Sequence, residues 1–106
     1  METIKVLIAD DHPVVREGVR AMLETDEGIE IVGEASSGLE AVTRTGELRP
    51  NVVLMDIVMP NLDGLEATRR IKKQYPSTAV IMLTIYADKA FVIDAVQAGT
   101  GGYLLK

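Results

Sequence analysis

Residues 51–64 read Asn51-Val52-Val53-Leu54-Met55-Asp56-Ile57-Val58-Met59-Pro60-Asn61-Leu62-Asp63-Gly64, and this stretch decides the fold. Positions 52–55 are continuously apolar, which is typical of a central parallel strand that is covered on both faces. The run ends at Asp56, and Pro60 and the Asp63-Gly64 pair then indicate a loop. In open α/β sheets ligands bind just outside the carboxyl ends of the strands, so Asp56 is a candidate site residue. The stretch alone leaves open that Asp56 is a helix cap or a solvated loop acid.

Apolar runs and helical patterns alternate along the rest of the chain. Besides the run at 52–56, four segments are predicted to be strands: Ile4–Ala9, Ile29–Ala35, Ala79–Thr84 and Gly101–Lys106. Helices are predicted between them, from Pro13 to before Thr25, from Gly38 to before Pro50, from Gly64 to before Pro76, and from Asp88 to about Ala98. The order (βα)4β predicts an α/β fold, a doubly wound parallel five-stranded sheet with helices on both faces.

The spacing of apolar residues also predicts which helix faces are buried. The inward positions of the second and third helices are predicted to be Leu39, Val42 and Leu48, and Leu65, Thr68, Ile71 and Tyr75. Glu66 and Arg70 form an i,i+4 pair on the exposed side of the third helix.

Composition limits the function classes. A chain of 106 residues is one domain, and 47% hydrophobic with 25% charged residues is typical of a soluble globular protein. No apolar run approaches the roughly 18 residues of a membrane span. The absence of cysteine excludes disulfides, thiolate catalysis and cysteine zinc sites, and with no export signal it fits a cytoplasmic protein. The net charge of −5 has the wrong sign for an unaided nucleic-acid binder, so contact with DNA would need another segment.

Polar residues end or directly follow four of the five predicted strands, and in a parallel sheet their side chains converge at one edge. Asp10 and Asp11 come directly after the first strand, and Asp56, Thr84 and Lys106 are the last residues of theirs. Crowded carboxylates resist joint ionisation unless a cation offsets them, and Mg²⁺, which needs few carboxylates, fits better than a Ca²⁺ cage. Such a pocket could transfer a phosphoryl group, with Asp56 as the nucleophile, Mg²⁺ on the other two acids, Lys106 as a point charge and Thr84 as a hydroxyl donor.

The whole chain resembles the receiver domain of two-component response regulators, in the NarL/LuxR (NarL/FixJ) branch. Four segments carry the resemblance, in order and at compatible spacing: Asp10-Asp11-His12-Pro13, Leu54 to Gly64, Leu83-Thr84, and Ala98 to Lys106. The resemblance implies a CheY-like (flavodoxin-like) sheet in the order 2-1-3-4-5 with five helices. The fifth helix is absent from this chain, so residues 1–106 are expected to be a receiver domain whose natural protein continues past Lys106 with that helix and a helix-turn-helix DNA-binding output domain.

The resemblance also implies roles for single residues. Asp56 would accept a phosphoryl group from a sensor histidine kinase. The other implied roles are Mg²⁺ binding by Asp10, Asp11, Asp56 and the backbone carbonyl of Val58, contact of Lys106 with the phosphoryl group, and a switch pair of Thr84 and Tyr103. The domain would be a signalling phosphoacceptor that catalyses only its own phosphoryl transfer and autodephosphorylation. It would bind DNA only through the output domain and no membrane, and a homodimer on phosphorylation is compatible with this interpretation.

Each assignment has a structural alternative. Asp10 or Asp11 could cap the first helix, Thr84 could be a strand-end hydroxyl, and Tyr103 could only pack. His12 is interpreted as a surface residue near the pocket without a catalytic role.

Three other classes of protein were considered. A phosphatase of the haloacid dehalogenase type would need a second acid where Ile57 and Val58 stand. In a flavodoxin-like cofactor binder, Asp10-Asp11 would repel the phosphate that binds after the first strand. A pseudo-receiver that only binds partners would not need the complete set of acids.

Overall fold

The computed structural model of the chain describes residues 3–56, 59 and 62–83. Within these ranges the elements are β1 Ile4–Ala9, α1 Pro13–Glu24, β2 Ile29–Ala35, α2 Gly38–Leu48, β3 Val52–Asp56, α3 Gly64–Gln74 and β4 Ala79–Leu83. The predicted bounds of the first three strands and three helices are confirmed to within a residue or two. The predicted fourth helix and fifth strand lie outside the described residues.

The four described strands form one parallel sheet in the order β2-β1-β3-β4. This confirms the first four places of the predicted order. Strand β3 is central: its Val52 is in register with Val6 of β1 on one side and with Ala79 of β4 on the other. The carboxyl ends of β1 and β3 therefore lie side by side.

The first four residues of β3, Val52 to Met55, are apolar because both faces of the sheet are covered there. Val53 and Met55 pack in a cluster with residues of α2 and α3, whereas Val52 and Leu54 pack in a second cluster with Leu23 of α1. All four β3 side chains are at most 2% exposed. The continuous apolar run at positions 52–55 thus corresponds to a strand that is buried on both faces, as predicted.

Two helix faces differ from the prediction. Leu39 is 52% exposed and Leu65 is also exposed. The buried positions of these helices are mostly small residues: Gly38, Ala41, Val42 and Thr45 in α2, and Gly64, Ala67 and Ile71 in α3. Small residues let a helix backbone lie close to the sheet, and the leucine next to each buried glycine then points away from it. The Glu66–Arg70 pair is confirmed, with 3.5 Å between Oε2 and Nε.

The helix starts are defined by local chemistry. Pro13 occupies the first turn of α1, where its missing N–H has no helical partner to lose. The side chain of Ser37 accepts a hydrogen bond from the amide of Glu40 at the start of α2, and Asp63 accepts one from the amide of Glu66 at the start of α3.

Candidate functional site

Three predicted acids meet at the carboxyl edge of the sheet. Asp10 and Asp11 directly follow β1, and Asp56 is the last residue of the adjacent β3. Possible ligand atoms of these carboxylates and of His12 all lie within 4.8 Å of one another. The structure therefore brings the three carboxylates into one small space, as the parallel topology predicted.

Asp10 and Asp11 are held differently. The backbone amide of Asp10 donates to the carbonyl of Ala35 at 3.0 Å, and its Oδ1 accepts a hydrogen bond from the amide of His12 at 2.8 Å. Oδ1 of Asp11 is buried and, among the described residues, accepts no hydrogen bond, although Nδ1 of His12 lies 3.0 Å from it. A buried carboxylate oxygen without a donor is costly unless a cation takes that place.

His12 is closer to the acids than the sequence indicated. Its side chain is 67% exposed, in agreement with a surface position, yet Nδ1 lies 3.0 Å from Oδ1 of Asp11 and 3.3 Å from Oδ1 of Asp10. The imidazole is a counter-ion to this pair when it is protonated. Its place directly after two acids was the available signal.

The capping alternatives do not describe the helices observed. The N-cap residue of α1 is His12, and that of α3 is Asp63. Asp10 and Asp11 precede the first cap, and Asp56 belongs to β3. All three acids are thus placed at the sheet edge by the strands.

The donor set fits a hard divalent cation. Three carboxylates supply oxygen ligands, which Mg²⁺ prefers, and their mutual repulsion favours a cation between them. Oδ1 of Asp11, which accepts no hydrogen bond among the described residues, is an oxygen that such an ion could take up. Asp10, Asp11 and Asp56 are the residues that could hold it.

Four other predicted site residues, Val58, Thr84, Tyr103 and Lys106, lie outside the described residues. Strand β4 ends at Leu83, whose backbone is in register with Asp56.

A salt-bridge network beside the acids was missed by the sequence analysis. Arg16 donates from Nη1 to the backbone carbonyl of Asp10 at 2.6 Å and from Nε to Glu34 at 3.0 Å, while Nε of Arg20 donates to Glu34 at 2.7 Å. The hydrogen bond from Arg20, followed by that from Arg16, holds the pKa of the Glu34 carboxyl below its ordinary value against the effect of burial. The same pairing raises the pKa of Arg20. The available signal was a cation in the first turn of α1, where the helix dipole disfavours positive charge.

A parallel sheet with this strand order and an acidic cluster at the ends of β1 and β3 defines the CheY-like receiver fold. The chain belongs to the family described as the response regulator receiver domain, which residues 6–106 match.

Two of the chain's relatives are named as a transcriptional regulatory protein and a response regulator. The chain is 48% identical over 103 residues to the uncharacterized transcriptional regulatory protein YhcZ of Bacillus subtilis, covering 97% of this chain and 48% of that protein. It is 47% identical over 104 residues to the response regulator protein VraR of Staphylococcus aureus, covering 98% and 50%. The chain thus spans about half the length of the curated relatives it matches.

Solved structures of response regulator receiver domains have a similar fold. The signal receiver domain of the putative response regulator NarL from Mycobacterium tuberculosis is 33% identical, with a TM-score of 0.80 over 99% of this chain and 85% of that one. The response regulator domain of Thermotoga maritima CheB is 36% identical, with a TM-score of 0.79 over 99% and 79%. The predicted family and its NarL/LuxR relationship are confirmed.

None of the described helices combines the length and the apolar character that crossing a bilayer requires.

Proposed function

We propose that this receiver domain is a phosphorylation switch in which Asp56 accepts a phosphoryl group. The observation that carries the proposal is the convergence of Asp10, Asp11 and Asp56 within 4.8 Å at the carboxyl edge of the sheet. A lone acid at a strand end could be structural, but three acids, one with a buried oxygen that accepts no hydrogen bond among the described residues, favour a site for a cation and a phosphoryl group.

The proposed donor is a phosphohistidine of a sensor histidine kinase. A carboxylate oxygen of Asp56 attacks the phosphorus, an O–P bond forms, the N–P bond breaks, and the donor imidazole leaves with the electron pair. Asp10, Asp11 and the carbonyl of Val58 would hold Mg²⁺ together with Asp56. When bound, Mg²⁺ supplies positive charge for the phosphoryl oxygens. Water later hydrolyses the aspartyl phosphate, so the domain acts as a self-resetting phosphoacceptor and not as an enzyme on other substrates.

The proposed output is a shift between two conformations. Lys106 would contact the phosphoryl group, Thr84 would donate its hydroxyl to a phosphoryl oxygen, and Tyr103 would take the space that Thr84 leaves. The phosphoryl group can shift the equilibrium only by binding one conformation better than the other.

The proposed context is a cytoplasmic transcription regulator. Residues 1–106 would be its receiver domain, and the natural protein would continue past Lys106 with a fifth helix and a helix-turn-helix output domain that binds DNA. Two findings support this: the named relatives are about twice as long as the chain, and one structural neighbour is RcsB of Salmonella enterica bound to a promoter. A homodimer on phosphorylation would fit the same role. A stop codon directly after Lys106 in the natural reading frame would contradict the continuation.

The decisive experiment is intact-mass analysis after incubation with acetyl phosphate. We expect one phosphoryl group per chain with Mg²⁺ and none in Asp56→Asn. Asp63→Asn is the matched control, because this acid caps α3 and lies outside the cluster, and it should still be phosphorylated. Uptake at full rate in EDTA, or at full level in Asp56→Asn, would refute the mechanism.

A further inference from the structure

Arg16 lies in the first turn of α1. It contacts strand β2 and the segment Asp10-Asp11 after β1, which we call the acidic loop. Nη1 donates to the carbonyl oxygen of Asp10 at 2.6 Å, and Nε donates to Oε1 of Glu34 at 3.0 Å. The side chain is only 18% exposed. The guanidinium therefore connects the loop that carries two of the acids to the neighbouring strand.

Three hydrogen bonds hold Asp10, and one of them comes from Arg16. Its amide donates to Ala35, its carbonyl accepts from Arg16, and its carboxylate accepts from the amide of His12. Mg²⁺ demands near-ideal octahedral geometry at about 2.0–2.1 Å, so a ligand that drifts by a fraction of an ångström binds it less well. We infer that Arg16, held in place by Glu34, is a positioning residue that keeps Asp10 in the geometry for binding the cation. This inference rests on the proposed function.

Among the described residues, Arg16 contacts the backbone carbonyl of Asp10 and not its carboxylate, and this choice of atom matters for metal binding. A guanidinium on a carboxylate would occupy the lone pairs that a metal needs. Within the described part of the chain, the contact of Arg16 with Asp10 is to the backbone carbonyl, which leaves the carboxylate to the cation. The charge of Arg16 is meanwhile offset by Glu34, and the planar fork of the guanidinium lets one side chain satisfy both acceptors.

Arg20 provides a matched control. It donates to the other oxygen of Glu34 at 2.7 Å and to Glu24 at 3.2 Å, on the same helix and one turn further along. None of its described contacts is with the acidic loop. Removing Arg20 therefore weakens the same ion-pair network without releasing Asp10.

The test is Mg²⁺ binding by isothermal titration calorimetry in the parent protein, Arg16→Met and Arg20→Met. We expect Arg16→Met to raise the Mg²⁺ dissociation constant about tenfold, which is typical when a group that orients a metal ligand is removed. Arg20→Met should change the dissociation constant by less than about twofold. Phosphoryl uptake from acetyl phosphate should recover in Arg16→Met at saturating Mg²⁺. Arg16→Lys keeps the charge but cannot bridge both acceptors, and we expect an intermediate affinity; it provides the measurement if Arg16→Met does not fold.

The outcomes separate the two proposals. An Arg16→Met affinity equal to that of the parent, or an equal loss in Arg20→Met, would overturn the positioning role. A parent that binds Mg²⁺ and shows the Arg16→Met defect, but takes up no phosphoryl group, would support the positioning role and refute the proposed function. A parent that binds no Mg²⁺ would overturn both.

Discussion

Substituting Gly38, the first residue of α2, should force the helix away from Leu62. A Cβ at this position would stand 1.8 Å from the carbonyl oxygen of Leu62 and 2.6 Å from its carbonyl carbon. These are backbone atoms, so no flexible side chain can give way, and the two segments must separate by about 1.5 Å to reach ordinary contact. Such overpacking costs about 1–3 kcal/mol. Alanine in place of glycine inside a helix stabilises by about 0.5–1 kcal/mol, so the net destabilisation by Gly38→Ala should be on the order of 1 kcal/mol.

The assay is urea unfolding followed by circular dichroism, with Gly18→Ala as the matched control. Gly18 lies inside α1, and apart from its chain neighbours and the backbone of its own helix, a Cβ there would meet no atom within 4 Å. We expect the midpoint of Gly38→Ala to fall by on the order of 0.5–1 M urea and that of Gly18→Ala to rise. Equal shifts of the two midpoints would show that the close approach of Gly38 to Leu62 does not affect the free energy of unfolding.

Two further predictions concern the charge network and the switch. The pKa of the Glu34 carboxyl is lowered from its ordinary value of 4.5 by Arg20 and Arg16, so its stabilising effect should be complete above that value and lost as pH falls through the lower, folded pKa. The stability difference between the parent and Glu34→Gln, about 1 kcal/mol at neutral pH, should therefore shrink in acid, and a difference that stays constant with pH would contradict the pairing. Thr84→Ala should still be phosphorylated but show smaller amide shifts around Tyr103 in NMR spectra, and shifts equal to those of the parent would remove Thr84 from the switch.

Strands and their ends were predictable from short segments. The runs Ile4–Ala9 and Ile29–Ala35 are bounded by polar residues or glycine, and positions 52–55 of β3 form the unbroken apolar run that a strand buried on both faces needs. Once the strands are parallel, the acids that follow β1 and the acid that ends β3 must share one edge. The convergence of Asp10, Asp11 and Asp56 could thus be inferred without any knowledge of distances.

Helix rotation and the contacts between elements could not be predicted this way. Leu39 and Leu65 have apolar side chains at helical spacing, yet both are exposed, because the glycine before each of them lies against the rest of the fold. How far a helix turns about its axis depends on how closely its backbone can approach its neighbours, which is a property of two surfaces and not of one pattern.

The same difference between what one segment predicts and what packing determines is seen at the acidic site. The acids themselves follow from local sequence, since each stands at the end of an apolar run. The contact of Arg16 with the carbonyl of Asp10 and the sharing of Glu34 by two arginines join residues of α1, β2 and the loop after β1. Charged residues are frequent on helix surfaces, and only the packing of α1 beside β2 determines which of them meet. Periodicity therefore identified the site residues, while the network that orients Asp10 depends on distances that no single segment contains.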